Sequence, residues 1–366
     1  MNPWSRTLRP SVIDLGGYRP GASGEEIKRR FGLREVVRLN WNENLFGPLA
    51  GVLEETAEVL GLAWSYPEDS YEEFRAAVGR WIGVDPAQVI PGHGIQALTI
   101  AVVSAFIEAG DAVVIPSPTY GLYAQVCRAA GAVVHRPSTQ PSLAIDLEAV
   151  LATARREHAK LAWICDPNNP TGLRIEPSEW SAFVQGLPAG CVAVVDEAYV
   201  DFIDPSQRVD RLADVAARAP VIVLRSFSKI FGLAGLRLGY AIVHESLAPH
   251  LNAVQEPFNV NRAALAAGLA SLKRVQGLPE RRDQVSHARE ALVAPLQSAG
   301  IRTLPSDANF VLIELGRDDQ DVFDALAEEG LIVRPGLELG LPGYVRVTTG
   351  AEDLMQAVGA RIAELV

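Results

Sequence analysis

Residues 225–239 read RSFSKIFGLAGLRLG and follow directly on the apolar run VIVL at 221–224. A short apolar run before a polar, glycine-rich segment predicts a buried strand that ends where the polar segment begins. Open α/β sheets bind their ligands at the carboxyl ends of such strands. Lys229 lies in the polar segment just past this strand end. The pattern therefore predicts a ligand site around Lys229.

The side chains that flank this lysine suit a phosphate monoester. Ser226 and Ser228 offer hydroxyl donors, and Arg237 offers a guanidinium that can bind two oxygens at once. Gly232 and Gly235 allow the backbone to pass close to a bound group. The alternative is a polar loop that carries one lysine without a chemical role.

The other three lysines of the chain have ordinary settings. Lys28 lies in the charged sequence EEIKRR, Lys160 precedes an apolar run, and Lys273 ends a helical pattern beside an arginine. These settings are typical of solvent-exposed lysines. Lys229 is therefore the candidate for a covalent Schiff base with a carbonyl cofactor.

Short apolar runs alternate with helix-length amphipathic stretches along the middle of the chain, at 89–90, 112–115, 132–135, 161–165, 192–195, 221–224 and 240–243. This alternation predicts an α/β fold with a mostly parallel central sheet flanked by helices. Beyond residue 245 the pattern changes to helices at 262–274, 280–298 and 319–329, with strands at 310–314 and 344–347. We expect an N-terminal arm with part of a small domain at 1–48, a large domain at 49–258, and a smaller α+β domain at 259–366.

Composition limits the classes of partner. The net charge of −11 argues against a nucleic-acid ligand, and no apolar run is long enough to span a membrane. The three cysteines form no metal-binding or disulfide pattern, and the six histidines show no metal-ligand spacing. We expect a cytoplasmic protein with small-molecule partners and no metal.

An acidic residue ends another apolar run, CVAVV at 191–195, which is followed by Asp196. A carboxylate at the end of a buried strand requires a cationic partner, because isolated burial of its charge is strongly unfavourable. A protonated pyridine nitrogen would be such a partner, which together with Lys229 points to pyridoxal 5′-phosphate (PLP). A helix cap is the alternative role for Asp196. The turn DPNNPTG at 166–172 adds an asparagine that could reach the phenolate oxygen of the PLP ring.

The glycine loop GHGIQA at 92–97 matches G-x-G-x-x-A, the form of a dinucleotide-binding turn. An NAD(P)-dependent oxidoreductase would also need an acid at the end of the next strand to hold the ribose. That strand is followed by Pro-Ser-Pro at 116–118. The loop therefore favours a single phosphate at a helix N-terminus.

Taken in order, six motifs resemble those of the class II (fold type I) PLP-dependent aminotransferases, and most closely the histidinol-phosphate aminotransferase group. They are NEN at 42–44, the glycine loop, PTY at 118–120, NNPTG at 168–172, DEAY at 196–199, and SK at 228–229 with GLRLG at 235–239. The resemblance extends from Tyr18 to Arg346 and implies a homodimer with shared active sites.

The resemblance also implies individual roles. Lys229 would form the Schiff base and shuttle protons, Asp196 would hold the pyridine nitrogen, and Tyr199 and Asn169 would hold the phenolate oxygen. Tyr120 would stack on the ring. The remaining PLP contacts would come from Gly94, Ile95, Gln96, Ser226, Ser228 and Arg237, and from Tyr66 of the partner subunit.

For the substrate, the resemblance implies that Tyr18, Arg334 and Arg346 bind its acid end and that Asn169 also contacts it, with 2-oxoglutarate as the expected amino acceptor. Two departures from the group leave the amine substrate open. Ile95 and Gln96 stand where the group usually carries an acidic pair, and Trp41 replaces a small residue. The expected activity is that of a histidinol-phosphate aminotransferase in histidine biosynthesis. Two alternatives are therefore an aromatic amino acid aminotransferase and a lyase similar to threonine-phosphate decarboxylase. His93 and Trp41 fit local packing equally well.

Overall fold

The computed structural model describes residues 4, 7–13, 15–17 and 20–366. In chain order its strands are β1 (Val37–Arg38), β2 (Val89–Gly92), β3 (Ala112–Val114), β4 (Val133–His135), β5 (Leu161–Cys165), β6 (Val192–Asp196), β7 (Val221–Ser226), β8 (Gly239–Ile242), β9 (Phe310–Glu314), β10 (Leu331–Ile332), β11 (Arg334–Pro335) and β12 (Tyr344–Thr348).

The α-helices in chain order are α1 (Pro10–Ile13), α2 (Gly24–Phe31), α3 (Val52–Glu58), α4 (Glu72–Ile82), α5 (Gly94–Phe106), α6 (Leu122–Ala130), α7 (Leu147–Arg156), α8 (Pro177–Gly186), α9 (Arg211–Ala216), α10 (Ala248–Ala253), α11 (Arg262–Leu272), α12 (Leu278–Ser298), α13 (Asp319–Glu328) and α14 (Glu352–Leu365). No helix in the described ranges has both the length and the apolar character needed to cross a membrane.

The largest sheet has seven strands in the order β2-β8-β7-β6-β5-β3-β4. Strand β8 runs antiparallel to both of its neighbours, and the other pairings are parallel. The prediction of a mostly parallel sheet is confirmed. The carboxyl ends of β5, β6 and β7 therefore meet at one edge, which brings together the segments that follow them.

Helices cover both faces of this sheet, which explains why its central strands are continuous apolar runs rather than alternating ones. On one face, Tyr123 and Cys127 of α6 and Leu98 of α5 pack with Trp163 of β5. On the other face, Phe183 of α8 packs in a cluster that includes Phe227. Burial on both sides holds the strand ends, and so the site, in fixed positions.

A second, antiparallel sheet has three strands in the order β11-β12-β9, and β1 pairs with β10 in a two-stranded sheet. Helices α12 and α14 pack closely against each other beside these strands. Ile27 and Leu39, from the N-terminal part of the chain, lie in the same core cluster as Val345 and Val347 of β12. The division into domains at residues 48 and 258 stays a prediction.

Candidate active site

A cavity of about 740 Å³ lies at the carboxyl edge of the large sheet and is bordered by the three-stranded sheet. It collects most of the side chains predicted for the site. Those that line it are Ile95, Gln96, Tyr120, Asn169, Asp196, Tyr199, Ser226, Ser228, Lys229, Arg237, Arg334 and Arg346.

Lys229 projects into this cavity and is held by backbone carbonyls from the N-terminal part of the chain. Its Nζ donates to the carbonyl of Asn42 at 2.8 Å and lies 3.5 Å from that of Trp41. The same Nζ is 5.4 Å from the centre of the Tyr199 ring. Burial, with the positive charge of Arg346 as the next cause, lowers the pKa of Lys229 to about 8. At pH 7 about one in ten of these amines is therefore neutral and nucleophilic.

Asp196 ends β6 and is buried at the same edge. Its Oδ2 accepts a hydrogen bond of 2.5 Å from the hydroxyl of Tyr123, and its Oδ1 accepts one of 2.9 Å from the backbone N–H of Ala198. Burial raises the pKa of Asp196 to about 6, although the Tyr123 bond acts in the opposite direction. The bond to Ala198 closes a turn rather than capping a helix, because the 3₁₀ helix that follows, Val200–Phe202, has Tyr199 as its N-cap. Both donors are neutral, which leaves the carboxylate suited to a cation in the cavity.

The segment NEN at 42–44 clamps the lysine loop, a role that its motif did not reveal. Asn44 donates from Nδ2 to the carbonyl of Lys229 at 2.9 Å and to that of Ile230 at 3.0 Å. Asn42 donates from Nδ2 to the hydroxyl oxygen of Tyr199 at 3.0 Å. Burial raises the pKa of Tyr199, which keeps its phenol protonated and able to donate a hydrogen bond. One short segment thus positions both the amine and the phenol.

Hydrogen-bond donors suited to a phosphate gather where α5 begins. His93, the residue before the helix, makes no side-chain cap bond to it. Gly94 has a φ of +73°, and a Cβ there would lie 2.9 Å from Nη2 of Arg237. A glycine at this position therefore allows the guanidinium to approach the helix N-terminus. Gly94 does not line the cavity itself, but the next two residues, Ile95 and Gln96, do.

Arg237 and the two serines complete this group of donors. Arg237 donates from Nη1 to the carbonyl of Ala234 at 3.0 Å, which fixes the guanidinium. Gln96 donates to the hydroxyl oxygen of Tyr120 at 3.1 Å. The hydroxyl of Ser226 accepts from the N–H of Ser228 at 2.9 Å and keeps its own proton for donation. Helix N–H groups, hydroxyls and a guanidinium together fit a phosphate monoester.

Arg334 and Arg346 are cross-strand partners in the register of β11 and β12. Both are buried and line the cavity. Arg346 donates to Oδ1 of Asn169 at 2.5 Å and to the carbonyl of Asn40 at 2.6 Å. Two buried guanidiniums on neighbouring strands favour an anionic group between them.

A buried network of four charged residues lies next to the site and was missed in the sequence. Arg211 binds Asp166 and, at 2.9 Å, Glu197, and Glu197 in turn accepts from Nε of Arg225 at 2.8 Å. Asp166 follows β5, Glu197 follows β6, and Arg225 lies in β7. The network joins the ends of the three strands that present the site residues. Arg225, which directly follows the apolar run of β7, was the available signal for it.

Of the remaining residues singled out in the sequence, Trp41 lines the cavity and Tyr66 does not. Tyr66 is 77% exposed, stacks on Phe258 at 4.8 Å and does not line the cavity of its own chain. Tyr18 falls outside the described residues. Trp41 lines the cavity, donates from its indole to the carbonyl of Pro20 at 2.9 Å, and stacks under Arg38. Within the described part of the chain, no group of three or more His, Cys, Asp or Glu residues could hold a metal ion.

Residues 34–362 match the family described as aminotransferase class I and II. The chain belongs to this family. This aminotransferase is 38% identical over 350 residues to histidinol-phosphate aminotransferase 2 of Methylococcus capsulatus, with 94% of each chain covered. It is 33% identical to the histidinol-phosphate aminotransferase of Moorella thermoacetica, over 93% of this chain and 88% of that one.

Among solved structures, the aminotransferase is similar to the histidinol-phosphate aminotransferase of Sinorhizobium meliloti in complex with pyridoxal-5′-phosphate. The TM-score is 0.88 at 27% identity, with 99% of this chain and 100% of that chain covered. The predicted family, fold class and enzymatic nature are confirmed. The oxidoreductase alternative raised by the glycine loop is set aside.

Proposed function

We propose that this aminotransferase uses PLP to transfer an amino group from histidinol phosphate to a 2-oxo acid, with 2-oxoglutarate as the expected acceptor. The observation that carries the proposal is the cavity that holds Lys229, Asp196 and the arginine pair Arg334 and Arg346 together. Similarity over nearly the full chain to two histidinol-phosphate aminotransferases supports the choice of amine.

The residues present fit PLP on the chemistry of their donors. The N-terminus of α5, Ser226, Ser228 and Arg237 would hold its phosphate. The buried carboxylate of Asp196, whose named donors are neutral, would meet the protonated pyridine nitrogen. When bound, PLP supplies an electron sink for the negative charge that develops at the substrate Cα.

Proton transfer in this proposal is the work of Lys229. With its pKa lowered to about 8, the amine accepts a proton from the substrate Cα and can release it again in the same turnover. Tyr199, kept neutral by burial, would donate a hydrogen bond to the phenolate oxygen of the PLP ring. Tyr120 lines the same cavity and would contact the face of the ring, while Asn169 would hold its phenolate oxygen.

The acid end of the substrate would be held by Arg334 and Arg346. A phosphate monoester carries close to two negative charges at neutral pH, which matches two guanidiniums better than a single carboxylate does. Tyr18 and Asn169 stay proposed as further contacts. Holding this end fixes the orientation of the Cα–H bond relative to Lys229.

We also propose a homodimer in which Tyr66 reaches the PLP phosphate of the partner subunit. Support comes from a run of exposed apolar side chains near Tyr66, at Leu53, Leu60, Leu62 and Trp64. Exposed apolar patches of this kind mark protein contacts. We further propose the cytoplasm as the compartment, since the three cysteines are buried free thiols.

Half-reaction spectra test the substrate. The PLP-loaded protein is titrated with histidinol phosphate, phenylalanine or threonine phosphate, and loss of the visible cofactor band is followed. We expect histidinol phosphate to bleach the band at the lowest concentration. Bleaching by phenylalanine alone would contradict the proposal in favour of an aromatic substrate, and release of carbon dioxide from threonine phosphate would contradict it in favour of a lyase.

A further inference from the structure

Arg334, one of the two arginines in the cavity, forms an ion pair with a carboxylate of its own chain. Its Nε lies 3.1 Å from Oε2 of Glu338, four residues further on in the one-turn 3₁₀ helix Leu337–Leu339. Both side chains line the cavity. The Arg334 side chain is 6% exposed, whereas that of Glu338 is 44% exposed. The pair thus joins a fixed cation to an anion that has room to move.

The position of Glu338 conflicts with that of a bound acid group. A guanidinium binds a carboxylate or phosphate most strongly through two parallel N–H groups, and the side-on pair includes Nε. Glu338 occupies that Nε. An acid group that binds Arg334 side-on must therefore displace the Glu338 carboxylate or share the donor with it.

The N-terminal segment prevents Arg334 from moving away from Glu338 when a ligand binds. Gly21 has a φ of +88°, and a Cβ built there would overlap the Arg334 guanidinium and lie 3.3 Å from Oε2 of Glu338. The backbone at Gly21 therefore packs directly over the ion pair. With the arginine enclosed, the half-exposed Glu338 is a partner that can leave.

We propose that Glu338 is an internal competitor for the acid group of the substrate. It gives way to a ligand anion, so it weakens the binding of each ligand that uses the Nε side of Arg334. A dianionic phosphate monoester gains more from the arginine pair than one carboxylate does. The free energy needed to displace Glu338 is the same for both ligands, so it leaves a phosphate ester well bound and a simple carboxylate weakly bound. This inference rests on the proposed function.

The test compares two amines that differ only in the acid group, histidinol phosphate and histidinol, with wild type and Glu338→Gln. Glutamine keeps the size of the side chain and an oxygen that accepts from Nε, but it removes the charge. We expect KM for histidinol phosphate to fall about 1.5- to fivefold, the range of a partly exposed ion pair, with kcat unchanged. KM for histidinol should not change.

A matched control breaks a similar ion pair outside the cavity. Arg302 and Glu314 lie 2.7 Å apart, and Glu314 is the last residue of β9 in the same three-stranded sheet. Glu314→Gln should leave KM for both amines as in wild type. An unchanged or higher KM for histidinol phosphate in Glu338→Gln would overturn the inference, because Glu338 would then only position Arg334. An equal fall for histidinol would overturn it too.

A binding measurement separates this inference from the proposed function. Inorganic phosphate alone is titrated by calorimetry into PLP-loaded wild type and Glu338→Gln. Phosphate binding that is tighter in the variant by a similar factor supports the inference. It does so even if wild type fails to react with histidinol phosphate, because a failure to react would count only against the proposed function. Equal phosphate affinity overturns the inference and leaves the proposed function standing.

Discussion

Tyr123 donates a hydrogen bond of 2.5 Å from its hydroxyl to Oδ2 of Asp196. The tyrosine is fully buried and its ring lies flat on that of Trp163, with centroids 5.0 Å apart. This bond favours the ionised form of Asp196, whereas burial raises the pKa of the carboxyl to about 6. The ionisation of Asp196 therefore depends on a residue that lies outside the motifs.

Tyr123→Phe should shift the acid limb of the kcat/KM profile to higher pH. Phenylalanine keeps the stacking on Trp163 but removes a donor that lowers the pKa of Asp196. If activity needs the ionised carboxylate, kcat/KM of the variant falls at a higher pH than that of wild type, while the alkaline limb stays in place. The measurement is kcat/KM from pH 5 to 9. Superimposable acid limbs would show that Tyr123 does not control this ionisation.

Asp196→Asn should stabilise the cofactor-free protein at pH 8. Since the folded pKa of about 6 lies above the ordinary value of 3.8, the ionised carboxylate opposes folding by an amount that grows between these two pH values and is complete above the folded pKa. The variant should gain on the order of 1–3 kcal/mol in free energy of unfolding at pH 8, and the gain should vanish below about pH 4. Urea unfolding at both pH values measures it. PLP should stabilise wild type more than the variant.

The rate at which cofactor-free protein attaches PLP should rise with pH and level off above about 8, the lowered pKa of Lys229. The neutral amine is the reactive form, and burial with the charge of Arg346 produces the lowered value. Arg346→Gln should therefore move the midpoint of the rate profile to higher pH. Stopped-flow absorbance records the rates. Identical midpoints in the two proteins would exclude the proposed effect of Arg346.

Arg211→Met should destabilise the protein by about 3–5 kcal/mol, because it leaves buried carboxylates without their cation. Arg211 is 1% exposed and binds both Asp166 and Glu197. As a control, Arg302→Met removes an exposed pair with Glu314 and should change the free energy of unfolding by about 1 kcal/mol or less. Urea unfolding compares the variants. Similar losses in both would mean that the buried network contributes no more than a surface pair.

Trp64→Glu should convert dimers to monomers and reduce activity. Trp64 is 84% exposed beside the exposed Leu62 and Tyr66, and a charge there would have to be buried in the proposed interface. Val366→Glu, at the exposed C-terminal residue, is the control and should stay dimeric. Sedimentation velocity gives the oligomeric state. A dimeric Trp64→Glu variant would place the interface elsewhere.

The sequence predicted the strands and their ligand-binding ends because both depend on local pattern. The run LAWIC at 161–165 forms β5 over the same residues, and β7 differs only in extending to Ser226. Lys229 and Asp196 could be placed together because the ends of neighbouring parallel strands meet. These predictions use the order of elements along the chain and need no side-chain contacts.

The contacts that tune the site could not be predicted in this way. Tyr123 lies far from Asp196 in the sequence, and Asn42 lies farther still from Lys229, so no local pattern specifies either hydrogen bond. Arg334 and Glu338 have the spacing of a helical ion pair, but Arg334 lies in a strand, where that spacing carries no signal. Tertiary packing alone determines these three relationships.

The proposed chemistry depends on a cofactor bound covalently to Lys229. The most direct measurement is borohydride reduction of PLP-loaded wild-type protein, followed by digestion and mass spectrometry of the peptides around all four lysines. We expect a reduced cofactor adduct on Lys229 and on no other lysine, and no adduct at this site in Lys229→Ala. An unmodified Lys229 in wild type, or an adduct on Lys28, Lys160 or Lys273 instead, would contradict this expectation.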